Sequence, residues 1–259
     1  MPENALASGD ARRFPLKLAL RSLAVHVITF ILVVVFGSIA TVLSPFTRGE
    51  IVFWLGRIWS SLVLAVAGVR FETSGLEKLE AGKAHVLVGN HTSNFDIHAM
   101  ILALREHHFR FTPKSELKYL PIFGWALWAG GFPFIDRGSS AKARRTMKEV
   151  ANRIRREGIT VIFFPEGTRN TRNEWMPFKK GPFVLAIDAG VPLVPFVLHG
   201  ARRVQGRREF WVHPGTIRLE VLEPLPTEGL TYADRNALVE RAREAMVSAI
   251  GDEKARGIS

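Results

Sequence analysis

The sequence predicts an α/β fold: a mostly parallel sheet flanked by helices, preceded by an N-terminal two-helix membrane motif. Three observations carry this. Residues 23–43 are apolar or small apart from His26, Thr29, Ser38 and Thr41. A second apolar stretch, 51–69, follows after a short turn. Beyond residue 70, short apolar runs alternate with helical spacings, the texture of a sheet covered by helices. The chain has 259 residues, enough for one sizeable domain, and is 47% hydrophobic and 23% charged, which excludes a mainly disordered or collagen-like chain.

The elements follow in chain order. A polar stretch, 1–10, leads to Arg12, Arg13, Lys17 and Arg21. At ~1.5 Å rise per residue, 23–43 spans ~31 Å, the thickness of a bilayer's hydrocarbon core. The stretch exceeds a secretory h-region, and Ser44-Pro45-Phe46 is no small-residue cleavage site. The breaker-rich turn 44–50 then sets up a hairpin with 51–69. Trp54 and Trp59 in that second helix suit an interface, and Arg57 requires it to lie shallow or to snorkel. The basic flank before the first helix places the N-terminus in the cytoplasm, and a hairpin returns the rest of the chain to that side. Two domains are expected: residues 1–70, tail and hairpin, and 71–259, catalytic, with the seam in 71–83.

Strands are expected at 84–89, 109–112, 132–135, 159–164, 192–198 and 216–222. Helices are expected at 140–156, 182–189 and 232–250. Of the strands, Ile-Thr-Val-Ile-Phe-Phe at 159–164 is the strongest.

Composition narrows the chemistry. With 35 Lys+Arg against 24 Asp+Glu, the formal charge is +11, which favours anionic partners. Lys142, Arg144, Arg145, Lys148, Arg153, Arg155 and Arg156 crowd one helix, and Arg202, Arg203, Arg207 and Arg208 another segment. Such residues suit anionic membrane lipids, an acidic carrier protein or plain solvent. They lack a groove-reading or aromatic-interleaved module, so nucleic acid is not an expected partner. The chain has no cysteine, which removes disulfides, thiol catalysis and Cys-ligated metals.

Polar clusters fall at strand ends, where open α/β sheets bind ligands. Asn90-His91-Thr92-Ser93-Asn94-Phe95-Asp96 follows the 84–89 strand. On a regular helix His91 and Asp96 point ~140° apart. They meet if His91 ends the strand and Asp96 lies in the first turn of the next helix, giving a histidine base with a carboxylate orienter. Ser93-x-x-Asp96 fits a helix-start capping box equally well. Phe164-Pro165-Glu166-Gly167-Thr168-Arg169 follows the 159–164 strand. Gly167 allows unusual backbone angles, and Thr168 and Arg169 offer donors to a phosphate. Lys114 follows 109–112, and Asp136-Arg137 follows 132–135; each is a binding residue or a surface ion-pair partner.

These blocks resemble those of the bacterial 1-acylglycerol-3-phosphate acyltransferases, within the glycerolipid acyltransferase superfamily. Residues 90–96 match N-H-x-S-x-x-D and 131–137 match G-x-x-F-I-D-R. Residues 164–169 match F-P-E-G-T-R, and Val191-Pro192-Leu193-Val194-Pro195 matches V-P-x-V-P. Asn170 departs from a frequent serine. The resemblance covers about residues 70–200 and implies that His91 and Asp96 are catalytic. It implies that Glu166, Gly167, Thr168 and Arg169 bind the acceptor, with Lys114 and Arg137 assisting.

The implied reaction moves an acyl group from acyl-CoA or acyl-carrier protein, a co-substrate, to the sn-2 hydroxyl of lysophosphatidic acid, making phosphatidic acid. No cofactor and no metal are expected, since an isolated His-x4-Asp is not a metal site. There is no G-x-S-x-G elbow either, so direct attack without an acyl-enzyme is expected. Another lysolipid acceptor, or a membrane-bound lipid hydrolase, is the alternative. The implied location is the bacterial inner membrane, with the catalytic domain on its cytoplasmic side.

Overall fold

The computed structural model describes residues 16–47, 49–136, 138–171 and 174–255. Arg137 therefore lies outside the described residues, as do 1–15 with Arg12 and Arg13. Two helices, α1 (Leu16–Thr47) and α2 (Glu50–Ala67), precede strand β1 (Val69–Ser74). Then come β2 (Val86–Gly89), α3 (Phe95–Ala103), β3 (Phe109–Phe111), α4 (Phe123–Ala129) and α5 (Ser140–Glu157). The chain continues through β4 (Thr160–Phe163), α6 (Gly181–Ala189), β5 (Leu193–His199), α7 (Ala201–Val204), β6 (Gly215–Val221) and α8 (Arg235–Ala255).

Apart from the break at Gly49, α1 and α2 are nearly continuous in sequence, and they pack on each other. Both are long and apolar enough to cross a membrane. α1 is roughly 48 Å long at ~1.5 Å per residue, longer than the apolar run alone suggested. Leu16, Leu20, Leu23, Val27, Ile31 and Val35 recur every three or four residues and are exposed, so one apolar stripe runs along its outer side. Its hydroxyl groups are satisfied locally: Ser22, Thr41 and Ser44 each donate to the carbonyl four residues back. Arg57 of α2 reaches the Arg105 carbonyl beyond α3. Trp54 is exposed, as an interfacial ring would be, whereas Trp59 is half-buried. Its ring meets His98 of α3 edge-on at 4.5 Å.

The six strands form one sheet in the order β1-β6-β5-β2-β4-β3. All neighbouring pairs are parallel except β5 and β6, which run antiparallel. The two-residue period of the strands sorts the core into two layers. Leu87 and Ile162 join Ala99 and Met100 of α3 and Phe53 and Val63 of α2 on one face. Val86, Val88, Val161 and Phe163 join α5, α6 and α8 on the other.

Two expectations need correction. Residues 132–135 form no strand: only Ile135 makes an isolated bridge, to Lys114. Pro133 lacks an N–H for a ladder, and Phe132 instead stacks on Phe53 at 5.5 Å. Residues 69–74 are a strand, not a linker, so the boundary drawn at residue 70 falls inside β1. α2 also buries Phe53, Val63, Leu64 and Ala67 in the main core, so the hairpin and the sheet share one interior.

His98 sits wholly inside that shared interior, with Nδ1 3.1 Å from Ser60 Oγ of α2. Burial pushes its pKa down from 6.5 to about 4, so it folds as the neutral imidazole. Unfolded chains take up the proton below pH 6.5 while the folded state resists until about pH 4. Stability is therefore lost as pH falls through that window, by ~3 kcal/mol in all. Melting in detergent at pH 7 and pH 4.5 checks this. His98→Gln should flatten the dependence, and an identical slope in the variant would contradict it.

Candidate active site

β2 and β4 are adjacent and parallel, but their connections diverge: α3 follows β2 on one face and α6 follows β4 on the other. A crevice opens at the carboxyl ends of two such strands, the usual ligand position in an open α/β sheet. Residues 90–94 and the 164–171 loop both lie there. They are joined directly, because the Asn170 N–H donates to the His91 carbonyl at 2.6 Å.

The first loop is shaped by short-range bonds. Asp96, in the first turn of α3, is fully buried, and its Oδ2 lies 2.8 Å from His91 Nδ1. The same oxygen accepts the Thr92 and Ser93 N–H groups at 2.7 and 2.9 Å, and Ser93 Oγ accepts from the Phe95 N–H. One carboxylate thus takes the Ser93 amide, as in a capping box, and also holds the imidazole. The box is only half formed, because Ser93 Oγ takes the Phe95 N–H instead of that of Asp96. A carboxylate only accepts, so Nδ1 is the donor to Asp96, and in the neutral ring the lone pair then falls on Nε2. The ring stacks on Phe164 at 4.1 Å and 16°. Nε2 has no hydrogen-bond partner among the described residues.

The floor comes from β5. Asn90 clamps it twice, donating to the Leu198 carbonyl (2.8 Å) and accepting from the Leu198 N–H (2.7 Å). Phe196 lies beneath Gly89, so close that a Cβ there would stand 2.2 Å from its ring. The strand that continues the V-P-x-V-P segment thus supports the histidine loop from beneath.

In the second loop, Gly167 has φ +74°, the left-handed turn expected of a glycine there. Glu166 is buried: Oε2 accepts from Asn170 Nδ2 (2.6 Å) and the Met176 N–H (3.0 Å), and burial raises its pKa. It braces the loop from within. Asn170, the departure from the usual serine, supplies one of those bonds and also donates to the Glu174 carbonyl at 2.8 Å. Arg169 reaches back to the first loop, donating from Nη1 to Asn94 Oδ1 at 2.7 Å. Burial lowers its pKa, nearby Arg207 adds to this, and Asp96 opposes it. Thr168 and Arg169 line a cavity of about 270 Å³ with Trp175 and Arg207.

The residues named from sequence are thus only partly gathered. His91 and Asp96 are paired, and the loop of Glu166, Gly167, Thr168 and Arg169 is tied to theirs by the Asn170–His91 and Arg169–Asn94 bonds. Thr168 and Arg169 line one cavity and Gly167 another. Lys114 is exposed, and no hydrogen bond or ion pair joins it to that group. Its own segment is tied to the second block, through Ser115 N–H to the Ile135 carbonyl and Ile135 N–H to the Pro113 carbonyl. Asn90, Asn94, Phe164 and Arg207 were not given roles from sequence. The first three lay inside quoted motifs, whereas nothing local marks Arg207.

A second cavity, apolar and about 110 Å³, lies between α1, α2, α3 and the edge strand β3. Phe53, Phe109 and Phe132 line it, with Ile97 and Ile101 of the helix that carries Asp96.

Comparison with known proteins shows the family and the fold. Human 1-acyl-sn-glycerol-3-phosphate acyltransferase beta is 37% identical over 179 residues, which are 69% of this chain. That match spans 64% of the human protein's length. The 1-acyl-sn-glycerol-3-phosphate acyltransferase of Haemophilus influenzae is 29% identical over 233 residues, 88% of this chain and 94% of that protein. The crystal structure of the 1-acyl-sn-glycerophosphate acyltransferase of Thermotoga maritima has the same fold. It matches with a TM-score of 0.77 at 22% identity, over 93% of this chain and 97% of that one. The family model described as Acyltransferase matches residues 70–199, half of the chain, a span that includes all four sequence blocks. The chain belongs to the Acyltransferase family.

Proposed function

We propose that this chain transfers a fatty acyl group from an acyl thioester to the sn-2 hydroxyl of 1-acyl-sn-glycerol 3-phosphate, producing phosphatidic acid. The observation that carries this reading is that His91, fixed by Asp96, sits on a loop hydrogen-bonded directly to the Arg169 loop. The names of the human and Haemophilus relatives support it. In the mechanism, His91 Nε2 takes the hydroxyl proton while Asp96 stabilises the imidazolium. The oxygen attacks the thioester carbonyl, the C–S bond breaks, and the departing thiolate recovers the proton from His91. Arg169 holds the acceptor phosphate by charge-assisted bonds, with Thr168 beside it and Lys114 and Arg137 as further contacts. The chemistry so written calls for no cofactor; CoA or acyl-carrier protein brings the acyl group as co-substrate. The apolar cavity suits an acyl chain.

The setting we propose is the bacterial inner membrane, with the sheet domain on the cytoplasmic side. α1 lies in lipid through its exposed stripe, and α4, which packs against it, exposes Trp125 and Trp128. Amphipathic rings of this kind collect at membrane interfaces. Accordingly, high salt should leave the full-length protein in the membrane pellet and detergent should extract it. Release by salt alone would contradict an integral hairpin, because screening acts only on charges.

The test of the reaction is a panel of labelled acceptors with acyl-CoA and acyl-carrier protein donors. Lysophosphatidic acid should be used best, ahead of lysophosphatidylcholine and monoacylglycerol. Preference for another lysolipid would refute the acceptor assignment.

A further inference from the structure

The loop between α7 and β6 is built to a single shape. Gln205 Nε2 donates to the Glu209 carbonyl (3.0 Å), the Gly206 N–H to Glu209 Oε2 (3.0 Å), and the His213 N–H to the Val204 carbonyl (2.8 Å). Within it Arg208 adopts φ +66°, a left-handed conformation that a side chain resists unless its surroundings impose it. The loop is also pinned to α1. The Val212 N–H donates to Ser22 Oγ at 2.9 Å, and Phe210 stacks on His26 at 4.8 Å.

This braced loop delivers one half-buried cation to the crevice. Arg207 donates from Nη1 to the Arg169 carbonyl at 3.4 Å, and both side chains line the 270 Å³ cavity beside the acyltransferase loops. The only acidic residue lining that cavity, Glu174, is exposed, and no carboxylate lies within ion-pair distance of either guanidinium among the described residues. Arg207 disfavours the charge of Arg169, the second cause, after burial, of the lowered Arg169 pKa. The buried Asp96 that acts on Arg169 is committed to His91 and the loop amides. Two neighbouring cations without an ion-pair partner match a ligand with two negative charges. A phosphate monoester, at about −1.5 to −2 near neutral pH, is such a ligand.

We propose that Arg207 is a second phosphate-contacting arginine of the acceptor site, sharing the phosphate of the lysolipid with Arg169. This rests on the proposed reaction and deepens it: selectivity for a phosphomonoester headgroup comes from a pair of guanidiniums. One belongs to the F-P-E-G-T-R loop, the other to a loop that is contiguous with none of the four blocks.

The test compares Arg207→Ala, Arg207→Gln and Arg207→Lys by saturation with lysophosphatidic acid and with thioester, and by inhibition with sn-glycerol 3-phosphate. Arg207→Ala should raise the acceptor KM about tenfold and weaken glycerol 3-phosphate in parallel. The kcat should stay within about threefold and the thioester KM should not move. Arg207→Gln retains a donor for the Arg169 carbonyl but no charge, and should behave like the alanine variant; Arg207→Lys should recover part of the loss. Wild-type behaviour of Arg207→Gln would reduce Arg207 to a prop for Arg169 and overturn the proposal. An unchanged acceptor KM in Arg207→Ala, or a fall in kcat alone, would overturn it too. If the wild-type protein did not acylate lysophosphatidic acid at all, the proposed reaction would fail first and this assignment with it.

Discussion

His91→Ala is expected to lower acyl transfer by at least ~10²-fold, the low end for loss of a general base. The argument is geometric. Nδ1 is committed to Asp96, the ring plane is set by Phe164, and Nε2 alone remains to accept the proton. Asp96→Asn should be severe as well, of a similar order, yet leave the fold intact. An asparagine oxygen in the Oδ2 position keeps the Thr92 and Ser93 amides satisfied but no longer stabilises an imidazolium. Turnover and melting temperature on the same two variants check this. Near-normal turnover in His91→Ala would remove the proposed base. A drop in melting temperature without a drop in turnover in Asp96→Asn would mean that the carboxylate only caps α3.

Arg169→Ala should raise the KM for lysophosphatidic acid ten- to a hundredfold and leave that for the thioester nearly unchanged. Loss of a charge-assisted contact in a partly buried site costs about 1.5–3 kcal/mol. Asn94 holds one edge of the guanidinium, so its direction is fixed before a ligand arrives. Arg169→Lys should recover only part of the loss, since an ammonium cannot reproduce a planar fork of donors. Acceptor and donor saturation curves on one preparation decide it. A shift in the donor constant instead would move Arg169 to the thioester site.

Much of this was legible in the sequence for identifiable reasons. Buried parallel strands such as 160–163 read as continuous apolar runs because both faces are covered. The His91–Asp96 contact followed from a strand-turn-helix reading, since five residues spanning such a junction fold back on each other. What escaped depends on partners far along the chain. β1 is mostly exposed and pairs with β6, about 146 residues later. Val-Arg-Phe-Glu-Thr-Ser does alternate apolar and polar residues, but the run is short and abuts the apolar helix, so it reads as part of the seam. Trp59 resembles an interfacial tryptophan until α3 is seen to lie against it. The deceptive stretch at 132–135 is apolar because Phe132 fills a gap among aromatic rings, a packing role without strand periodicity. Arg207 was visible only as one of a run of basic residues. Its distinction from Arg208, one position on, lies in the direction imposed by a braced loop.

The central claim is that this crevice joins an acyl thioester to the hydroxyl of a phosphorylated lysolipid. It is tested most directly by incubating the purified, detergent-solubilised protein with labelled lysophosphatidic acid, with and without an acyl thioester, and separating the lipids by thin-layer chromatography. The account predicts labelled phosphatidic acid only when thioester is present, with release of free thiol in equal amount. Labelled glycerol 3-phosphate or free fatty acid, formed whether or not thioester is added, would contradict it and identify a hydrolase.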